Sequence, residues 1–325
     1  MYAHCALAHW PAGPRRDRSS NQHFLSSIPT SQQQTIIMVR EAQASIVERE
    51  FLLQALKEGT RIDQRALLEQ RPVSLSFAED GHSVDCSLGN TRVAAHVSAS
   101  ITKPWADRPF EGLFQISSEI NPMANFIYDT GRSSENEIQI SRMLDKSLSR
   151  SGVIDKEALC ILAGQMVWSI RLDLHFLNDE GNLLDCASIA AIAALQTFQR
   201  PDVTLVGEEI TIHSIQERVP VPLTLHHTPI SLTYGFFELD SHKSSVVLDP
   251  NYLEEQLSTG TITLALNPQK EICVVNKSGG VPLSIEEIMN VVKLGSQKVK
   301  QLDQLIKSLI SNRNSPVDLT AVQDR

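Results

Sequence analysis

The sequence predicts an α+β protein built from two successive blocks of strands, each closed by a helix. Three observations carry that reading. Apolar residues recur at helical spacing in a few separated stretches. Short alternating or β-branched stretches fill the intervals between them. The blocks follow one another, which implies two β-α layers. With 325 residues, 42% of them hydrophobic, the chain is long enough for one large domain or two fused small ones around a packed core.

The first 37 residues are polar, rich in Pro, Ser and Gln, and without periodicity, so disorder is expected there. No apolar stretch follows a basic one, so a signal peptide is not expected. From Glu41 to Leu56, Ile46, Phe51, Leu52 and Leu56 fall at helical spacing, and Gly59 follows as a stop. "VSLSF" alternates. "HSVDCSL" and "TRVAAHVSASI" flank Gly89-Asn90, a two-residue hairpin signal. "LFQISSEI" is a further strand. Gly131 to Gly152 has the pattern of one amphipathic helix, with Ile140, Leu144 and Leu148 on one side and Arg142, Lys146 and Arg150 nearly opposite. "CILAGQMVWSIRLDLHFLND" reads as one long strand ending at Asn178-Asp179. Gly181 turns the chain, "LLDCASIAAIAALQTF" is an alanine-dense helix with Asp185 as its cap, and Pro201 closes the first half.

The second half repeats the logic. "EITIHS", "PLTLHH", "ISLTYGFFEL", "SSVVLDP", "TITLAL" and "EICVVN" read as strands, with a short helix at "NYLEEQLS". Ser284 with Glu287 forms a capping box before a long final helix. The expected organisation is an extension at 1–37, a first half at 38–200, a second half at 201–311 and a tail at 312–325.

The formal net charge of −9 argues against wholesale coating of nucleic acid but leaves room for a local basic surface. Cys5, Cys86, Cys160, Cys186 and Cys273 are scattered, with no CxxC pair or Cys/His cluster. Neither zinc nor a disulfide framework is expected, and no other cofactor. A reduced, intracellular protein follows. The longest apolar runs are too short to cross a bilayer, so no membrane partner is expected. His226-His227 has no acid or Cys at metal spacing and reads as a packed or surface pair. Trp105 and Trp168 read as packing residues.

Arg142, Lys146 and Arg150 each advance about 40° around a helix, forming a gently spiralling basic stripe. Such a stripe suits phosphate contact. On the residues alone, a solvated face paired with Glu135, Glu137 or Asp145 is the more ordinary reading.

Four separated stretches, in order, carry a family resemblance: "REFLLQALKEGTRIDQR" (49–65), "LNDEGNLLDCASIAAIAALQTFQRPDV" (177–203), "LDPNYLEEQ" (248–256) and "KSGG" (277–280). Over roughly residues 40–310 the chain resembles the RNase PH-like subunits of the eukaryotic RNA exosome. The resemblance implies an RNase PH-like fold, two β-α layers of the ribosomal-protein-S5 kind. It implies a six-membered ring around a channel for single-stranded RNA, with other RNase PH-like subunits and S1/KH-type cap subunits as partners. It also implies a place in the nucleus, nucleolus and cytoplasm.

In active relatives, cations hold inorganic and scissile phosphate and an acid assists the leaving oxygen. Their turn before the alanine-rich helix resembles "GGTRTA"; here it reads "GNLLDCA", with Asp185 near the arginine's place, where a carboxylate would repel phosphate. Their acid follows a glycine that opens a strand; here Gly260-Thr261-Ile262 stands there, and Leu257 to Leu264 holds no acid or base. The resemblance therefore implies a non-catalytic subunit. It assigns RNA contact to Arg142 and Lys146, and to Arg150 unless that residue serves a subunit interface. Lys103 and Arg108, in the Pro-punctuated loop "ITKPWADRPFEG", and Arg92 would face the RNA path. The alternatives are an active phosphate-dependent 3′-to-5′ exoribonuclease using Asp173 or Asp179, and a lone S5-like interaction domain.

Overall fold

Six strands make the first sheet of the computed structural model, which describes residues 44–129, 131, 133–206, 209–213, 217–240, 243–280 and 282–314. They are β1 (Val73–Phe77), β2 (Ser83–Leu88), β3 (Thr91–Thr102), β4 (Leu113–Ile120), β5 (Cys160–Leu162) and β6 (Met166–Asn178). The order is β1-β2-β3-β6-β4, with β5 also on β6; β4 runs parallel to β6 and the other pairs are antiparallel. Two small antiparallel pairs follow, β7 (Gln199–Arg200) with β10 (Val221–Pro222) and β8 (Val203–Val206) with β9 (Glu209–Ile212). The second sheet is β12-β11-β13-β14, antiparallel throughout, from β11 (Ile230–Asp240), β12 (Lys243–Leu248), β13 (Gly260–Leu266) and β14 (Ile272–Gly279).

Helix α1 (Ile46–Lys57) opens on a capping box. The Ser45 Oγ accepts from Glu48 N at 3.2 Å, and the Glu48 carboxylate accepts from Ser45 N at 2.8 Å. Leu52 and Leu56 turn inward, while Ile46 and Phe51 stay exposed. The first 37 residues, where disorder is expected, lie outside the described residues, as does the tail beyond 314.

Helix α3 (Leu183–Thr197) is the pivot of the fold. Alanines on every side let it touch β2 and β3 of one sheet and β11 of the other, so it is buried almost all round. One continuous core runs from Val84 and Phe176 through Ile189 to Ile230 and Leu264. An added isobutyl group at Ala191 would overfill it, costing about 1–3 kcal/mol. Helix α4 (Tyr252–Leu257) follows β12. Helix α5 (Ile285–Asn314) opens on the expected Ser284–Glu287 box, with bonds of 2.9 and 3.2 Å, and lays Val291, Val299 and Ile306 on the second sheet.

Several sequence expectations change. The stretch 160–178 is two strands, because the chain turns at Gly164 (φ +75°). Of "PLTLHH" (222–227) only Pro222 lies in a ladder, joined with Val221 in β10, and Leu225 makes a single bridge to Ile154; Pro220 and Pro222 lack the N–H that would extend it. The basic helix is α2 (Glu135–Leu144), followed by a π-turn at Asp145–Ser149 that closes with Arg150 N on Asp145 O at 2.9 Å. Trp168 packs as expected, but Trp105 is 66% exposed.

Candidate functional site

A cleft of about 490 Å³ opens where α2, the turn into α3, α4 and the β13–β14 pair meet. Arg142, Met143 and Lys146 form one wall. Thr261, Thr263, Asn276 and Lys277 form another. Thr261 and Thr263 alternate with core residues Ile262 and Leu264, so the pleat turns the threonines to the cleft. Asn182, Leu183 and Leu184 present the start of α3, and Asp179, Tyr252 and Glu255 complete the lining.

Arg142 and Lys146 are exposed, and among the described residues no carboxylate lies within ion-pair distance of either. The spacing explains it. Glu135 and Glu137 stand seven and five residues before Arg142, off the i,i+3 and i,i+4 positions where helical side chains meet. Asp145 is at i+3 from Arg142 but binds Arg150 instead, at 2.9 Å. Arg150, 72% exposed, does not line the cleft, because the π-turn displaces it from the stripe of Arg142 and Lys146. The three cations thus do not act as one surface.

The other expected contacts are dispersed. Arg92 pairs with Asp85 at 3.0 Å and Arg108 with Glu111 at 3.1 Å. Arg92 and Lys103 bracket the two ends of β3, which at strand rise puts them roughly 35 Å apart along the chain. None of these three lines the cleft. Lys277 does, with its Nζ donating to Gly279 O at 3.1 Å. Sequence reasoning used it only as part of "KSGG".

A buried polar network underlies the cleft. Gly181 takes φ +87°, and a Cβ there would stand 2.4 Å from Tyr252 N, so only glycine fits this approach to α4. Asn182 follows in the left-handed region at φ +57°. Its Nδ2 donates to Asp185 Oδ2 at 2.8 Å and to Asp249 Oδ1 at 2.5 Å. Arg71 clamps both Asp249 oxygens, at 2.8 and 2.9 Å, and reaches Gly181 O at 3.0 Å. Burial opposes the charge on Asp249, but the Arg71 bonds prevail and hold its pKa below the ordinary range.

Asp185 is neither the cap nor a cleft residue. It occupies the first turn of α3 and is fully buried. It accepts from Thr233 N at 2.8 Å and from Thr233 Oγ1 at 2.9 Å. Burial, with Asp249 nearby, pushes its carboxyl up to about 7 against these donors. The residue that faces the cleft is Leu184, one position earlier. The expected repulsion of phosphate by Asp185 is replaced by an apolar surface offering no charge.

Two acids do line the cleft. Asp179 accepts from Tyr128 Oη at 2.8 Å and from Gly181 N at 3.0 Å. Glu255 accepts from Asn182 N at 2.8 Å, and part of its surface opens on the cleft. Burial raises the Glu255 carboxyl to about 8, with Asp179 and Asp185 adding to the effect of burial. Asp173 lies outside, bonded to Arg171 at 2.8 Å. Glu255 carries no local signal in the sequence; only the fold of α4 against α3 brings it in.

Comparison with known proteins places this geometry in a family. Residues 69–201 match the 3′ exoribonuclease family, domain 1, and residues 227–298 its domain 2. The exosome complex component rrp45 of Schizosaccharomyces pombe is 42% identical over 256 residues, 79% of this chain and 87% of that protein. Exosome complex component RRP45 of Rattus norvegicus is 39% identical over 274 residues, and the aligned segment spans 62% of its length. A chain of the Archaeoglobus fulgidus exosome with RNA bound to the active site matches with 26% identity and a TM-score of 0.69, covering 79% of this chain and 97% of that one. Rice Rrp46, at 18% identity and a TM-score of 0.56, shares the fold. The chain belongs to the 3′ exoribonuclease (RNase PH) family, among the exosome complex components of the polymyositis/scleroderma autoantigen type.

Proposed function

We propose that this chain is a non-catalytic ring subunit of an RNA exosome, supporting 3′-to-5′ RNA processing and degradation in the nucleus, nucleolus and cytoplasm. It would pair with sister RNase PH-like subunits beneath S1/KH-type cap subunits. Single-stranded RNA would be held by its phosphates on Arg142 and Lys146. The observation that carries the reading is this pair of exposed cations facing a cleft without carboxylate partners among the described residues. Such contacts are independent of base sequence and sensitive to salt. Lys103, exposed and without a carboxylate partner among the described residues, would join them on the RNA path. Arg92, Arg108 and Arg150 would join by exchanging a surface ion pair, worth about 0.2–1 kcal/mol, for a phosphate. A scaffold role would agree with the family resemblance, which puts Thr261 at the acid's place and Asp185, here buried on Thr233, near the place of the phosphate-binding arginine.

The second reading, an active phosphate-dependent exoribonuclease, is favoured by Glu255 and Asp179 in the same cleft. Glu255, raised to about 8, carries its proton at neutral pH and would be the acid. End-labelled single-stranded RNA, with and without inorganic phosphate, separates the two. The full chain, alone and paired with a sister subunit, is expected to release no nucleoside diphosphate. Phosphate-dependent release abolished by Glu255→Gln would establish the enzyme instead.

A further inference from the structure

Between β4 and α2 the chain makes two successive tight turns at the edge of the cleft. Ala124 N donates to Asn121 O at 2.9 Å and Tyr128 N to Asn125 O at 3.2 Å. The segment is fastened to the cleft at two points. Asp179 N donates to Ala124 O at 3.2 Å, and Tyr128 Oη donates to Asp179 Oδ2 at 2.8 Å. Tyr128, Asp179 and Tyr252 all line the cleft. Between these fastenings Phe126 stands 81% exposed, the most exposed aromatic ring among the large exposed apolar residues.

An exposed phenylalanine alone is ordinary. Here two hydrogen-bonded turns carry it beside Tyr128, next to a cleft whose wall carries two exposed cations. Single-stranded nucleic acid is recognised by that combination: cations track the phosphates and an aromatic face takes a base, whatever its identity. We propose that Phe126 is a stacking platform for one base of a single-stranded RNA whose phosphates lie on Arg142 and Lys146.

The inference rests on the RNA-binding reading of the cleft, and the experiment separates the two. The probe is an oligoadenylate carrying 2-aminopurine, compared with an oligomer of equal length made abasic, on the full chain assembled with its sister subunits. Phe126→Ala is expected to weaken oligoadenylate binding about 5- to 150-fold and to abolish stacking-induced quenching of the 2-aminopurine. Abasic binding should not change, and Phe126→Trp should restore both readouts. Equal weakening of both oligomers overturns stacking. So does impaired assembly with unchanged RNA affinity per assembled ring, which would turn Phe126 toward a protein neighbour. If Arg142→Ala with Lys146→Ala leaves binding and its salt dependence unchanged while Phe126→Ala removes the quenching, the cation reading fails and the stacking stands.

Discussion

Arg71 and Arg142 are the same residue in opposite circumstances on the two sides of one cleft lining. Arg71 is 8% exposed and spends its guanidinium on both oxygens of Asp249, on Thr91 Oγ1 and on two backbone carbonyls. Arg61 and Arg65 behave alike. Arg61 is bound to Glu254 and the carbonyls of Leu248 and Asp249, and Arg65 to Asp63, Asp249 and Asn251. Together they bolt residues 61–71 to the start of α4. Arg142 is exposed and meets no carboxylate among the described residues. The chemistry of the side chain does not distinguish a bolt from a ligand contact; burial and pairing do.

Breaking the bolt should have the largest effect. Arg71→Ala leaves Asp249 charged, buried and without its principal partner, a loss on the order of 3–5 kcal/mol. It should appear as a lower urea midpoint with an unchanged slope. The pH signature follows from the lowered Asp249 pKa. That stability is present above the ordinary carboxylate range and disappears as pH falls through the folded-state value. The variant should lose this acid limb; a variant that keeps both the midpoint and the limb would show that the pair is not a bolt.

The opposite pattern is expected on the wall. Arg142→Ala with Lys146→Ala should leave the unfolding midpoint unchanged. It should reduce the slope of log binding constant against log salt for single-stranded RNA by about 1.4, from about 0.7 per phosphate contact. A lowered midpoint with an unchanged slope would make these residues structural and erase the contrast with Arg71.

Local signals in the sequence were legible, and signals assembled from distance were not. The Gly89-Asn90 hairpin and the Ser284–Glu287 box are decided within four residues, and both stand where the sequence puts them. The β11, β12 and β13 strands are short runs rich in β-branched, aromatic and other apolar residues, a strand signal legible within each run. Leu184 and Asp185 differ by one position, and which of them meets the cleft depends on how α3 rotates against β11, where Thr233 claims Asp185. Glu255 and Lys277 reach the cleft from elements more than a hundred residues beyond α2, so no spacing pattern could assign them. The π-turn that separates Arg150 from its stripe costs a register that the four-residue period does not reveal.

A smaller effect should come from pH. Glu255 is neutral below about pH 8 and gains a negative charge facing the cleft above it, so RNA affinity should fall several-fold as pH rises from 7 to 9. Asp185, raised to about 7 beneath the cleft by burial and with Asp249 nearby, adds a weaker fall at lower pH. Glu255→Gln should flatten the upper fall, measured by RNA binding at constant salt. A fall that survives the substitution would assign it to another group.

The smallest effect concerns Arg150, whose pair with Asp145 is exposed and worth less than about 1 kcal/mol. Its larger consequence is for its neighbour. Asp145 lies three residues beyond Arg142, within reach on the helix surface, and is occupied by Arg150. Arg150→Ala releases Asp145 to draw Arg142 away from the cleft, so RNA affinity should decline modestly while the unfolding midpoint barely moves. Adding Asp145→Asn decides the cause. If Arg150 acts by occupying Asp145, the double variant recovers the original affinity. If Arg150 touches phosphate itself, the double variant stays weak and its salt slope drops by about 0.7, the value of one lost contact to a single strand.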